Sequence, residues 1–115
     1  MPANCPLLSY QTPVAERLAL QHWLSTALIK LDLATDDLYT AFLINTTLWK
    51  LAEGICAVNN RPVPPSTLMW ELLPTLPQQP QDWLKPLLTG KTKPRLNAFR
   101  LACEWVVRML DIPDV

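Results

Sequence analysis

The sequence predicts an all-α fold, a helical bundle of about five helices, three of them long and two short and bounded by prolines. Three observations lead there. Apolar residues recur at three- and four-residue steps along three long stretches, the period of a helix with one buried face. Only two glycines occur, Gly54 and Gly90, and no Asn-Gly or Asp-Gly pair is present to turn a hairpin. Eight of the twelve prolines fall between Arg61 and Pro94, so the middle of the chain is cut into short pieces rather than one long element.

Residues 1–11 read as an extended N-terminal arm, because Pro2 and Pro6 obstruct an early helix. A single helical domain is expected over residues 12–112. Thr12 is the expected cap of the first helix, with Pro13 at the position where a missing N–H matters least. Leu20, Trp23, Leu24, Ala27, Leu28 and Leu31 then form one apolar stripe, and the helix should run to about Leu33. Thr35 is the expected cap of the second helix, and Asp36 and Asp37 place negative charge at its positive end. Leu38, Phe42, Leu48, Trp49, Ala52, Ile55 and Cys56 make that helix apolar on more than one side, which predicts a central position. Asn59 and Asn60 suit a left-handed stop.

Pro62, Pro64 and Pro65 lead to Ser66, the expected cap of a short helix through Trp70 to Leu73, ended by Pro74 and Pro77. Pro80 is expected to open a second short helix through Trp83, which Pro86 kinks or restarts and Gly90 closes. The leucines and tryptophans of this section need burial, so it should wrap the bundle rather than swing free. The last helix should begin near Lys93 and Pro94 and reach about Asp111. Leu96, Phe99, Cys103, Val106 and Leu110 form its packing seam, and Glu104 is placed to pair with Arg108.

Composition narrows the function. The formal net charge is zero, which argues against broad electrostatic capture of nucleic acid. Met1-Pro-Ala-Asn-Cys5 lacks the basic and apolar regions of a signal peptide. Lys30, Asp32, Lys50 and Glu53 interrupt the apolar stretches, so no membrane-spanning segment is expected. Cys5, Cys56 and Cys103 are an odd, scattered set, pointing to reduced thiols in a cytoplasmic protein. Cys56 and Cys103 should be buried and inert. One histidine and three scattered cysteines lack metal-ligand spacing, and no glycine loop could cradle a phosphate, so neither metal nor cofactor is expected.

Three groups of residues remain as candidate sites. The stretch Arg17-Leu-Ala-Leu-Gln-His22 is similar to the Arg-x4–6-His motif of HEPN ribonucleases, themselves small helical bundles. That resemblance implies a polarised phosphate and proton transfer at a sugar hydroxyl, with Arg17 and His22 as the catalytic pair. Lys85, Lys91, Lys93, Arg95 and Arg100 hold half the positive charge within sixteen positions, a candidate phosphate or nucleic-acid patch. Trp70 and Trp83, on the short helices, are the candidates for a partner-binding or oligomer surface, while Trp23, Trp49 and Trp105 are assigned to the core.

A second resemblance covers about two thirds of the chain, from Leu38 to Leu110. It rests on the helix Ala41–Cys56 with its polar turn Asn59-Asn60-Arg61, on Pro64-Pro65 followed by Trp70-Glu-Leu-Leu-Pro74, and on the final amphipathic helix. These stretches resemble the C-terminal helical domain of minimal, aminoglycoside-type nucleotidyltransferases. In that family a preceding domain carries the Gly-Ser motif and paired aspartates that hold magnesium. Asp36-Asp37 lacks that glycine loop and reads as a helix start. The resemblance implies a non-catalytic accessory or oligomerising domain acting through protein–protein contacts, its partner a nucleotidyltransferase subunit or a copy of itself. The competing readings are a small helical subunit of a nucleic-acid-binding assembly, similar to those of CRISPR effector complexes, and the HEPN-like ribonuclease.

Overall fold

A computed structural model describes residues 10–111; most of the expected N-terminal arm, with Cys5, lies outside them. The described residues form five α-helices and one 3-10 turn: α1 (Val14–Leu33), α2 (Asp37–Val58), α3 (Ser66–Leu72), the 3-10 turn Leu73–Thr75, α4 (Leu84–Thr89) and α5 (Thr92–Leu110). The all-α expectation holds, with three long helices and two short ones among the prolines. The long helices α1, α2 and α5 pack against one another, each touching the other two. Leu20, Leu24, Ala27 and Leu31 enter the core from α1, and Leu51, Ala52, Ile55 and Cys56 from α2. Phe99, Ala102, Cys103 and Val106 enter from α5.

The helix boundaries depend on contacts that local sequence does not display. Thr12 does not cap α1. Its hydroxyl donates to the Ala57 carbonyl at 3.4 Å and its N–H to Asn60 Oδ1 at 3.1 Å, so it ties the entry of α1 to the end of α2. Pro13 stands in the cap position instead, and its carbonyl accepts the first helical bond from Arg17. Asp36, not Thr35, caps α2: its carboxylate accepts from the Leu38 N–H at 2.8 Å. Pro65, not Ser66, precedes the first helical residue of α3.

At the other end of α2, Asn60 takes the left-handed conformation (φ 51°). The Arg61 N–H reaches the Cys56 carbonyl and the Asn60 N–H the Ala57 carbonyl, the paired bonds of a Schellman stop. Pro80 opens a turn rather than a helix, and Asp82 is left-handed within it (φ 52°). Pro86 and Pro94 both fall in first turns, where no intrahelical bond needs their N–H.

The section from Arg61 to Lys91 is a strap laid on α2 and α5. Met69, Leu73, Leu76, Trp83 and Leu87 are its buried contacts, with the Met69 sulfur 3.8 Å from Cys56 Sγ. Its path is fixed by two side-chain amides. Asn59 donates to the Ile55 carbonyl (2.8 Å) and the Gln78 carbonyl (2.7 Å), and accepts from the Gln78 N–H (2.9 Å). Gln79 donates to the Leu73 and Leu76 carbonyls and accepts from the Trp83 indole at 2.8 Å. Trp83 is therefore a core residue, only 2% exposed. The expectation that it lies on a partner surface is corrected: its ring is buried and its one polar atom is satisfied internally.

Other expectations change with the packing. Leu38 (79% exposed) and Phe42 (63%) stand on the outer side of α2, and Trp23 is half exposed. The described ion pairs are Lys50–Glu53 and Arg100–Asp32; Glu104 and Arg108 do not pair. By length and composition α2 could cross a membrane, contrary to the sequence expectation, but 56% of its apolar window is buried within the bundle, as for a core helix. Replacing Asn59 by alanine removes both the strap anchor and a bond at the helix end. Urea unfolding should then show a loss of about 1–3 kcal/mol, whereas an effect within about 0.5 kcal/mol would mean that the strap holds without it.

Candidate functional site

Two clefts of about 410 Å³ each lie along α1 and α2, and Trp23 lines both. The first, toward the start of α1, is bounded by Glu16, Ala19, Lys50, Glu53 and Arg61. The second, toward the end of α1, is bounded by His22, Thr26, Lys30, Leu43 and Thr46. Trp23 is the lining residue they share, and the two clefts define the α1–α2 groove.

The first cleft is organised around Glu53. Its carboxylate accepts from the Trp49 indole at 2.7 Å and pairs with Lys50 Nζ at 3.2 Å. The same ammonium sits 5.0 Å from the centroid of the Trp23 ring, so one cation is shared between a carboxylate and an aromatic face. This network orients Trp23 and leaves 51% of it exposed.

Arg17 and His22 are not brought together. Both lie on α1, and a five-residue step sets their side chains about 140° apart around a helix axis. His22 faces the second cleft, which Arg17 does not line. The basic residues are also divided. Arg95 donates to the Leu87 carbonyl at 2.9 Å and to the Asn45 side chain, and Arg100 pairs with Asp32 at 2.7 Å. Lys85, Lys91 and Lys93 are exposed. Lys91 and Arg95 share a hollow of about 240 Å³ with Asp37, so its charge is mixed. Trp70 is 44% exposed on α3.

Cys56 and Cys103 are free, buried thiols. Burial pushes the Cys103 thiol up to about 12, with a smaller upward contribution from Glu104. Burial also raises Cys56, opposed in part by Arg61. Neither is poised as a nucleophile. Among the described residues no group of His, Cys, Asp and Glu is placed to hold a metal ion.

The fold defines a three-helix bundle with a proline-rich strap, and its α1–α2 face carries two clefts that share Trp23. Compared with protein-family profiles, curated proteins and solved structures, the chain has no match. Trp23 falls within the three-and-four apolar step of α1, so its spacing alone points to the core although it is 51% exposed. The signal in the sequence is the spacing Glu16, Trp23, Lys30: a charge about two turns to either side of a tryptophan marks a boundary line rather than a core stripe.

A pH dependence follows from Cys103. Its thiol stays protonated in the fold while the unfolded chain ionises near the ordinary value of 9.0, so the unfolded state binds fewer protons at alkaline pH. The contribution is intact below 9 and lost as pH rises toward about 12. Urea midpoints across this window should fall more steeply for the wild type than for Cys103→Ala; parallel curves would contradict the assignment.

Proposed function

We propose that this chain is a non-catalytic helical module that works through protein–protein contacts. The observation that carries this reading is the apolar surface flanking the α1–α2 turn. Ile29, Leu33, Leu38, Tyr39 and Phe42 are between 43% and 79% exposed within fourteen consecutive positions. Large apolar side chains gathered in this way mark an interaction surface more often than an ordinary solvated one. Trp70 and Leu68, each nearly half exposed, add apolar surface on α3.

The nature of the partner rests on the resemblance of residues Leu38 to Leu110 to the accessory half of nucleotidyltransferases. In this reading the partner is a nucleotidyltransferase subunit or a copy of the chain itself, the setting is cytoplasmic, and the module is oligomeric. The helices supply a rigid face and no reacting group of their own. Free, buried Cys56 and Cys103 are in keeping with a reducing compartment.

The test is capture of a catalytic nucleotidyltransferase subunit by the purified chain, compared with a Leu38→Ser/Phe42→Ser variant. Both side chains are exposed, so the thermal midpoint should stay close to wild type while capture falls at least about tenfold, as for loss of an apolar anchor. A wild type that does not bind such a subunit, or a variant that captures it as well as the wild type does, would overturn the reading.

A further inference from the structure

We propose that the α1 face centred on Trp23 is a self-association surface, on which a second copy of the chain docks with its α1 antiparallel. The proposal rests on reading the chain as a contact module, but it concerns the groove and not the apolar surface beside the α1–α2 turn.

The geometry of the face is self-complementary. Glu16 precedes Trp23 by seven residues and Lys30 follows it by seven. Each heptad drifts only about 20° around a helix, so the three side chains lie nearly on one line. Glu16 and Trp23 line the first cleft, and Trp23 and Lys30 the second, which places all three along the same groove. The backbone positions of Glu16 and Lys30 each stand about 10.5 Å from that of Trp23 along the axis. A twofold axis through Trp23 therefore sets Glu16 of each copy opposite Lys30 of the other, and an isologous contact requires such pairing. A parallel arrangement would set like charges together.

The centre of the face has the chemistry of an anchor. Trp23 is 51% exposed and held on one side by Lys50. Ala19 and Thr26 flank it with small side chains, leaving a hollow on each side of the ring for the second copy's indole. Neither Glu16 nor Lys30 has an ion-pair partner among the described residues, so both remain free for the contact. A central aromatic ring bordered by complementary rim charges is how protein interfaces divide affinity from register.

The experiment is sedimentation equilibrium of the full chain at low salt, with circular dichroism to establish that each variant is folded. The wild type should dimerise, and Trp23→Ala should be monomeric over the same concentrations with its helical signal intact. Glu16→Lys or Lys30→Glu alone should weaken the dimer about five- to tenfold, since each reversal acts twice across the axis. The double variant Glu16→Lys/Lys30→Glu should restore it. A folded wild type that stays monomeric overturns the proposal, as does a dimer indifferent to the single reversals. So does a Trp23-dependent complex with a different protein in place of a dimer. The Leu38→Ser/Phe42→Ser variant should dimerise normally, which separates failure of this inference from failure of the proposed function.

Discussion

Gly54 is the point at which the three long helices meet. A Cβ placed there would lie 2.7 Å from Val106 Cγ1 on α5 and 3.3 Å from Leu24 Cδ1 on α1. Real side chains do not tolerate the first distance, and Val106 has little freedom to yield: it is β-branched, helical and fully buried. The hydrogen of Gly54 thus sets how closely α2 approaches both neighbours. Ala27, Ala52, Ala98 and Ala102, all buried, keep the spacing small elsewhere along these helices.

The rest of the molecule follows from that close approach. Three helices in mutual contact fill their shared interior but leave outer flanks. The strap covers those of α2 and α5, held by Asn59 at the end of α2 and by the amide of Gln79 beneath Trp83. Among the described residues the α1–α2 flank receives no comparable cover. There the Trp49, Glu53 and Lys50 network supports Trp23 from one side, and the groove forms around it. Surface character and core packing are two consequences of one arrangement.

The sequence displays the long helices clearly, because Phe99, Cys103, Val106 and Leu110 report a helical period whatever their partners. It also displays the stop at Asn60, where the left-handed conformation is a local property. Caps were less legible. Thr12 has the chemistry of a cap, yet its hydroxyl lies against the Ala57 carbonyl forty-five positions away, a contact no local rule contains. The prolines around Trp83 suggest a surface position, whereas its burial depends on a distant wall and a nearby Gln79 acceptor. Trp23 is the converse case. Its spacing matched the core stripe, but it stands at the stripe's edge, where one step around the helix separates interior from groove. The exposed Leu38 and Phe42 belong to the same class, since hydrophobicity alone does not state which faces are covered.

The most direct measurement of the central constraint is a double-mutant cycle on Gly54 and Val106 by urea unfolding. Alanine in a helix interior ordinarily gains about 1 kcal/mol over glycine. Overpacking at this contact should reverse that sign, with Gly54→Ala destabilising the wild type by about 1–3 kcal/mol. In the Val106→Ala background, where the obstructing methyl is gone, the same substitution should be neutral or stabilising. A stabilising Gly54→Ala in the wild type, or effects that simply add across the cycle, would contradict the account.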